Sequence, residues 1–228
     1  MIQTSEEEMK KIESEFYSQG YSLIAGVDEA GCGPLAGPVV ACAVILPKDY
    51  FNPLIYDSKK LTPKLREELC DVILKIAIDV GIGEASNEEI DKYNIRNATK
   101  LAMIRALQNL ETIPDVVLID GNLFDVNFTG LNFDGKKVLY KNIIKGDRKS
   151  ISIASASIIA KVTRDKIMEQ YAKEFPQYNF LKHKGYPTRE HLQEIEKFGI
   201  TKIHRKSYRP IQKILNPAIQ EKLFQDER

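Results

Sequence analysis

The chain has 228 residues, of which 43% are hydrophobic and 29% charged, and its formal net charge is +1. This length suits one large domain, or one domain with a helical appendage, and the composition excludes a largely disordered chain. No apolar run approaches the roughly 20 residues of a membrane span, and the N-terminus lacks the features of a signal peptide. The three cysteines are scattered, which predicts a reduced cytoplasmic protein without disulfides or structural zinc.

Three strands are predicted in the first third of the chain, over residues 23–27, 39–46 and 78–82. The first two are short apolar runs, whereas in the third, apolar residues alternate with small or polar ones, including two glycines that weaken the pattern. A helix that is capped by Thr62 and begins at Pro63 separates the second strand from the third. Connections of these lengths suit antiparallel pairing.

The rest of the chain alternates between helices and strands. In chain order, the predicted elements are a short helix starting near Asn87, a helix over 95–110 with Leu101, Ile104 and Leu107 facing inward, strands over 116–120 and 138–144, and helices over 155–173, over 189–198 and from Pro210. Helical crossovers suit the later strands. The predicted fold is therefore α/β, with a mixed five-stranded sheet flanked by helices and a helical C-terminal extension.

Acidic residues follow three of the predicted strands. Asp28 and Glu29 come directly after the first, Asp120 ends the strand over 116–120, and Asp147 follows the last. If the first and fourth strands are parallel neighbours, these carboxylates meet at the carboxyl edge of the sheet. Oxygen ligands suit Mg²⁺ or Mn²⁺, and a divalent cation relieves the repulsion between clustered carboxylates. Taken singly, each of these residues is better explained as a turn residue or a helix cap, and only the motifs that contain them favour a metal site.

Charge is distributed unevenly along this nearly neutral chain. Residues 6–15 are acidic, whereas the segments 136–149 and 182–209 are basic. Such asymmetry can form a phosphate-binding face. A set of solvated lysines explains the same pattern, so charge alone leaves both interpretations open.

The segment GVDEAGCGPLAGPVV (26–40) is rich in glycine and proline. A Gly-x-Gly after a strand is typical of dinucleotide-binding folds, but here Pro34 follows the glycines and the next element is a strand, so no helix N-terminus faces a pyrophosphate. The segment instead resembles the signature of ribonuclease HII, the type 2 ribonuclease H family. Six further blocks match that family in order: DSKKL (57–61), LIDGN (118–122), KGD (145–147), SIIAKVTRD (157–165), HKGYPT (183–188) and HRKSY (204–208).

These blocks together cover about residues 21–210. The resemblance implies a ribonuclease H-like fold with an N-terminal helical segment (1–20), a catalytic domain (21–175) and a helical C-terminal extension (176–228) that contributes to substrate binding. It implies an endoribonuclease that hydrolyses the RNA strand of RNA–DNA hybrids and cuts 5′ to ribonucleotides embedded in duplex DNA. The implied role is removal of ribonucleotides or primers during DNA replication and repair, and a monomer is expected.

Residue by residue, the family's four metal-binding carboxylates fall on Asp28, Glu29, Asp120 and Asp147. The resemblance implies two Mn²⁺ or Mg²⁺ ions during catalysis, one activating a water and one steadying the leaving 3′ oxygen, with 5′-phosphate and 3′-hydroxyl products. Asp165 is the rival for the fourth ligand. Its position within a predicted helix, beside an arginine, favours an ion pair on the helix surface instead.

The resemblance also implies substrate contacts. Tyr186 matches the tyrosine that stacks near the nucleotide beside the cut, and Gly31 and Gly33 match the glycines whose backbone approaches the 2′-hydroxyl group. The candidate phosphate contacts are Lys59, Lys60, Arg205 and Lys206. For these basic residues a solvated surface role is the alternative, and for Tyr186 the alternative is packing within the tail.

Cys32 departs from the family's usual Gly-Arg-Gly. A cysteine offers neither the cation nor the donor fork of an arginine, although the two flanking glycines remain. We therefore expect cutting at a single embedded ribonucleotide to be weakened more than cutting of long hybrids, and Cys32→Arg to improve it, unless a neighbouring lysine replaces the lost charge.

Two other functions stay open at this point: a non-catalytic hybrid-binding module, and a nuclease of the same fold with another target, such as DNA junctions. Clustered carboxylates argue against the first, because a pure binder of polyanions gains nothing from negative charge in its groove. The glycines and Tyr186 argue against the second. The segment QEKLF (220–224) faintly resembles peptides that dock on a sliding clamp, but a helix packed on the body explains it as well.

Overall fold

The computed structural model describes residues 5–122, 133 and 135–216. Its strands are β1 (Ile24–Ala30), β2 (Val39–Ile45), β3 (Asp79–Ala85), β4 (Val116–Asp120) and β5 (Leu139–Ile143). They form one mixed sheet in the order β3-β2-β1-β4-β5. β1, β2 and β3 pair antiparallel, whereas β4 pairs parallel with both β1 and β5. The predicted five-stranded mixed sheet is confirmed.

β1 is longer than the predicted strand, because it continues to pair with β2 beyond the apolar run. Asp28 and Glu29 therefore lie within the strand and not after it. The parallel pairing of β1 with β4 ends at Val27 opposite Ile119, so Asp28 and Asp120 are the next residues on two neighbouring strands. Because such strands run roughly 4.8 Å apart, the two acids lie side by side at the carboxyl edge of the sheet.

The helices are α1 (Glu6–Ser18), α2 (Pro63–Ile76), α3 (Asn87–Gln108), α4 (Ile151–Glu174), α5 (Phe180–His183), α6 (Arg189–Phe198) and α7 (Arg209–Leu215). α3 covers one face of the sheet, while α2 and α4 cover the other. α4 begins ahead of its predicted start, because Ser150 caps it by accepting a hydrogen bond from the backbone N–H of Ile153. The two helices predicted after β3 form one element with a kink at Asn94, and α5 was not predicted.

The glycines of β3 face α3. A Cβ atom on Gly83 would lie 2.3 Å from the carbonyl oxygen of Ala102, and one on Gly81 would lie 2.0 Å from that of Ala106. Ile82, between them, is 37% exposed. The glycines therefore allow helix and sheet backbones to approach closely, and the helix residues that meet the sheet are chiefly small ones. The strand prediction was correct, but the sequence pattern did not show this use of its glycines.

α1 is fixed to the start of α4. The carboxylate of Glu13, which is 1% exposed, accepts a 2.6 Å hydrogen bond from the hydroxyl of Ser150 and a 3.2 Å bond from the backbone N–H of Ser152. Burial raises the pKa of Glu13, and the Ser150 hydrogen bond partly opposes this. Met9 and Phe16 on the same helix are buried in the core. The N-terminal helix is thus packed on the body that contains the sheet and α4.

The C-terminal helices surround an apolar cluster of their own, which includes Phe180, Ile195 and Ile211. Leu35 and Ala36, from the loop after β1, pack into the same cluster, so this helical part contacts the candidate site. The domain boundaries remain predictions. Within the described part of the chain, no helix combines the length and apolar character that a bilayer crossing requires.

Gly26 lies where β1 approaches α4 most closely. A Cβ atom there would be 2.1 Å from the carbonyl carbon of Ser152 and 2.3 Å from the backbone nitrogen of Ile153. Because both contacts are backbone atoms, Gly26→Ala must separate the strand from the helix. We expect the free energy of unfolding in urea to fall by about 2–3 kcal/mol.

Gly20→Ala is the matched control. Gly20 has a φ of +92° and nothing within 4 Å of the added methyl group, so its substitution should cost only about 1 kcal/mol of backbone strain. A loss at Gly26 no greater than the loss at Gly20 would contradict the close approach.

Candidate active site

A cleft of about 250 Å³ opens at the carboxyl edge of β1 and β4. We call it the carboxylate cleft. Its lining consists of Asp28, Glu29, Ala30, Gly31, Cys32, Gly33, Ser58, Lys59, Asp120, Ser157, Lys161 and Tyr186. Three of the four carboxylates singled out in the sequence therefore share one cleft with the two glycines, Cys32, Lys59 and Tyr186.

The carboxylates of the cleft repel one another. Burial raises the pKa of Asp28 well above its ordinary value, and the negative charges of Glu29 and Asp120 raise it further. Burial also raises the pKa of Glu29, and Asp120 adds to that shift. A cation at this edge would therefore stabilise the ionised carboxylates.

Two serines support Asp28 from behind. Ser157 on α4 hydrogen-bonds to the Asp28 carboxylate, and its hydroxyl lies 2.9 Å from that of Ser58. Neither serine was predicted from the sequence to belong to the site. The sequence did offer a signal for Ser157, which lies within the mostly apolar start of a helix that packs on the sheet. A buried hydroxyl there is unfavourable unless it has a polar partner.

Asp147 lies next to the cleft, outside its lining. It sits on a 3-10 turn (Gly146–Arg148) after β5 and is 8% exposed. The backbone N–H of Gly146 donates a 2.6 Å hydrogen bond to Asp120, which ties the turn to β4. Burial and then the charges of Asp120 and Asp57 raise the pKa of Asp147. The fourth carboxylate thus interacts electrostatically with Asp120.

The donor set fits a hard divalent cation, because every acidic group at this edge is a carboxylate. Among the residues that the structure describes, no three His, Cys, Asp or Glu side chains are grouped closely enough to enclose a metal ion as they stand. The carboxylates would therefore have to close around a bound ion. Asp165 is occupied elsewhere: it forms ion pairs with Lys161 and Arg66.

Arg205 holds the residues that follow β1. We call residues 31–38 the glycine loop. The Arg205 side chain is 0% exposed, and its five N–H groups donate at 2.6–3.1 Å to the carbonyl oxygens of Gly31, Cys32, Gly37 and Pro38 and to the hydroxyl of Tyr208. Arg205 therefore has no donor left for a phosphate. This placement corrects the phosphate contact expected for it.

Arg164 on α4 holds the same loop from the other side. Its guanidinium is also fully buried and donates to the carbonyl oxygens of Pro38, Ala36 and Lys184. Burial lowers its pKa to about 10. Gly31, with a φ of +102°, has no room for a side chain, because a Cβ atom would lie 2.2 Å from the Arg164 guanidinium. The glycine is thus required by both backbone conformation and space.

Cys32 points toward α3. Its sulfur lies 3.5 Å from a carboxylate oxygen of Glu29 and 3.4 Å from the hydroxyl of Thr99. Burial, followed by the charge of Glu29, raises the pKa of the Cys32 thiol to about 12. The thiol therefore stays protonated and donates to Glu29, in place of the cation that the family motif carries.

The predicted phosphate-binding lysines are dispersed. Lys59 is exposed and lines the carboxylate cleft, where its charge lowers the pKa of Glu29 and opposes the effect of burial. Lys60 is also exposed, and its ammonium lies 5.2 Å from the ring centroid of Tyr56. Lys206 is exposed. Neither Lys60 nor Lys206 lines the cleft.

Tyr186 is presented by a turn that histidines hold in place. Its side chain is 40% exposed and borders Gly33 across the mouth of the cleft. The backbone oxygen of Tyr186 lies 3.0 Å from His191 Nδ1, and His191 Nε2 lies 3.1 Å from His204 Nε2. His183 accepts from the backbone N–H of the residue before Tyr186. All three histidines are buried, so they support the turn instead of contacting phosphate.

Several known proteins are similar to this chain in sequence and in fold. The family model described as Ribonuclease HII matches residues 25–211. A ribonuclease HII from Acetivibrio thermocellus is 53% identical over 201 residues, which are 88% of this chain and 75% of the relative. The crystal structure of ribonuclease H2 from Pyrococcus horikoshii superimposes with a TM-score of 0.70 at 27% identity, covering 84% of this chain and 96% of that one.

A third similar protein was solved as a complex. The ribonuclease HII of Archaeoglobus fulgidus, bound to PCNA, has a TM-score of 0.65 and 26% identity to this chain. The comparison covers 82% of this chain and 95% of that one.

Arg205→Lys should destabilise the protein. A lysine offers fewer donors and no planar fork, so several buried carbonyl oxygens of the glycine loop would lose their partners. We expect the free energy of unfolding to fall by about 2–4 kcal/mol. Lys206→Ala, one residue further on and exposed, is the matched control and should change it by less than about 0.5 kcal/mol. Equal losses of unfolding free energy in the two variants would contradict the buried hydrogen bonds of Arg205.

His191 and His204 should destabilise the folded state as the pH falls from about 6.5 to about 4, while the buried carboxylates with raised pKa values, such as Asp28 and Glu29, act in the opposite direction. Burial lowers the pKa of both His191 and His204 to about 4, below the value of about 6.5 for an unfolded chain. The unfolded state therefore binds these protons first, and the stabilisation present above pH 6.5 disappears through this window. The loss is at most about 3 kcal/mol for each histidine.

Urea titrations at several pH values measure this dependence. His204→Gln removes one of the two titrating groups, so the slope of unfolding free energy against pH should decrease by about one proton. An unchanged slope in that variant would show that His204 does not contribute.

Proposed function

Because the chain belongs to the ribonuclease HII family, and is therefore a ribonuclease H hydrolase, we propose that it hydrolyses the RNA strand of RNA–DNA hybrids and cuts 5′ to ribonucleotides embedded in duplex DNA. One observation carries this proposal: Asp28, Glu29 and Asp120 line the same cleft as the glycine loop and Tyr186. Groups suited to cleaving a phosphodiester thus adjoin groups suited to distinguishing ribose from deoxyribose.

The proposed metal ligands are Asp28, Glu29, Asp120 and Asp147. Two Mg²⁺ or Mn²⁺ ions bound there would lower the pKa of an attacking water and neutralise charge on the leaving 3′ oxygen. The protein's own contribution is to hold the carboxylates at one sheet edge, with Ser157 behind Asp28 and the Gly146 amide on Asp120. The proposed products carry 5′-phosphate and 3′-hydroxyl ends.

The raised pKa values support catalysis over simple binding. A groove that only held nucleic acid would be weakened by buried carboxylates that repel both each other and the phosphates. Here burial and mutual repulsion raise the pKa of Asp28, Glu29 and Asp147. Such an arrangement is favourable only when cations share the site.

The glycine loop is the proposed reader of the ribose. Arg164 and Arg205 bind its carbonyl oxygens from the protein side. This leaves the backbone at Gly31 and Gly33 facing the cleft, where a 2′-hydroxyl can be bonded. The exposed ring of Tyr186, beside Gly33, would pack against the next sugar and favour one without a 2′-hydroxyl group.

Lys59 is the proposed phosphate contact inside the carboxylate cleft, and the exposed Lys60 and Lys206 are proposed contacts for phosphates further along the duplex. The proposed role is removal of ribonucleotides or primers in replication and repair, in the cytoplasm and as a monomer. The PCNA complex concerns the Archaeoglobus protein. The segment 220–224, the candidate clamp-binding peptide, lies outside the described residues.

A substrate panel tests this function. The protein is incubated with a DNA duplex carrying one ribonucleotide, and with a long RNA–DNA hybrid, in Mg²⁺, Mn²⁺ or EDTA. We expect metal-dependent cuts 5′ to the single ribonucleotide and within the hybrid. Asp120→Asn should reduce the cleavage rate at least about a thousandfold while leaving binding intact, because it removes a charged ligand.

Asp71→Asn, on the exposed side of α2, is the matched control and should keep wild-type activity. Cutting of the long hybrid alone would assign a loss of single-ribonucleotide recognition to the altered loop at Cys32. Binding without any cutting of either substrate would replace this proposal with the non-catalytic hybrid-binding module.

A further inference from the structure

A second cleft, of about 480 Å³, opens on the far side of the glycine loop. It shares Glu29, Cys32 and Asp120 with the carboxylate cleft, so the two clefts meet at the carboxylates. α3 supplies the opposite wall through Ile95, Arg96 and Thr99. No residue of this wall was singled out in the sequence.

The kink in α3 places Arg96 at this cleft. Asn94 has a φ of +64°, and its side-chain oxygen accepts a 3.1 Å hydrogen bond from the backbone N–H of Asn97, so a new helical segment begins there. Arg96 is exposed, and it forms no ion pair or hydrogen bond with any residue that the structure describes. It is also the one cationic side chain in the described lining of the cleft.

Position 32 faces the same cleft. The Cys32 sulfur lies 3.4 Å from Thr99, one helical turn from Arg96, and both Cys32 and Arg96 line the second cleft. An arginine at position 32, as in the family motif, would therefore deliver its charge to the space that Arg96 already borders. The cation absent from the loop is thus present on the opposite wall.

We propose that Arg96 binds a backbone phosphate of the nucleic-acid duplex in the second cleft and supplies the cation that Cys32 does not. The proposal rests on the proposed function, because it assumes a nucleic-acid duplex in the carboxylate cleft. A phosphate there would lie near Glu29 and Asp120, whose negative charges repel it. A guanidinium offsets this repulsion and offers paired donors to phosphate oxygens, while Ile95 gives the adjoining sugar an apolar surface.

Binding measurements test the proposal directly. Asp120→Asn protein, which should cut at least about a thousandfold more slowly than the wild type, is titrated with a fluorescent DNA duplex carrying one ribonucleotide, at several salt concentrations. Adding Arg96→Ala should weaken binding about tenfold and reduce the slope of log affinity against log salt by about 1. Arg96→Lys should lie between the two. Lys75→Ala, which removes an exposed charge from the last turn of α2, should match the parent in both quantities.

A more specific test moves the positive charge from α3 to the glycine loop. Cys32→Arg, added to Arg96→Ala, should restore at least half of the lost affinity and the original salt slope. If Arg96→Ala weakens binding and the added Cys32→Arg does not restore it, Arg96 makes a different contact. That result would overturn the proposal that Arg96 supplies the cation that Cys32 does not. If the double variant does not fold, the comparison of Arg96→Ala with Lys75→Ala decides the phosphate contact.

Cleavage by otherwise wild-type protein separates this inference from the proposed function. If the wild type cuts both substrates and Arg96→Ala binds and cuts like it, the function stands and the inference fails. If the wild type cuts neither substrate, the proposed function fails, whatever Arg96 does to binding.

Discussion

Two buried guanidinium groups hold the loop on which the candidate site depends. Arg164 comes from the helix that packs on the sheet and Arg205 from the C-terminal part, and both donate to the carbonyl oxygen of Pro38. Neither arginine has a buried carboxylate partner among the described residues, so their donors are satisfied by backbone carbonyls and by the hydroxyl of Tyr208. The glycine loop, which we propose reads the ribose, is therefore held by two parts of the protein at once.

This arrangement also distributes charge around the cleft. The carboxylates lie at the carboxyl edge of the sheet. The two guanidinium groups lie behind the glycine loop, whose backbone separates them from the carboxylates. A direct ion pair would neutralise the carboxylates and weaken their hold on a metal ion, whereas cations placed one layer back leave the carboxylate oxygens available. The Cys32 thiol contacts Glu29, and the Thr99 hydroxyl contacts the thiol in turn, so neither adds a charge beside this carboxylate.

The sheet and several helix ends could be predicted from the sequence, because they depend on local chemistry. Thr62 caps α2 with Pro63 at its first turn, and Gly199 closes α6, as expected. The meeting of Asp28 with Asp120 was also predictable, since both follow apolar runs that form parallel neighbours. What decides these features is the side-chain pattern within a few residues.

Features that depend on distant partners were not predictable. Arg205 looked like a surface cation, because nothing near it in sequence indicates that carbonyl oxygens more than 160 residues away surround it. The kink at Asn94 requires a left-handed backbone conformation that an asparagine adopts only in some contexts. The glycines of β3 looked like weak points in a strand, and only the position of α3 explains them.

The Glu13 contact has a consequence for how the chain is made. Its partner Ser150 lies 137 residues later, so α1 leaves the ribosome long before the start of α4 exists. Until then, Met9 and Phe16 have no complete core to enter, and the helix can only sample transient contacts. Closing a loop of that length is slow compared with forming local structure. Among the described helices, α1 is therefore synthesised before the others but is among the last to be fixed in place, and the same event completes the contacts at the start of α4, the helix behind the cleft.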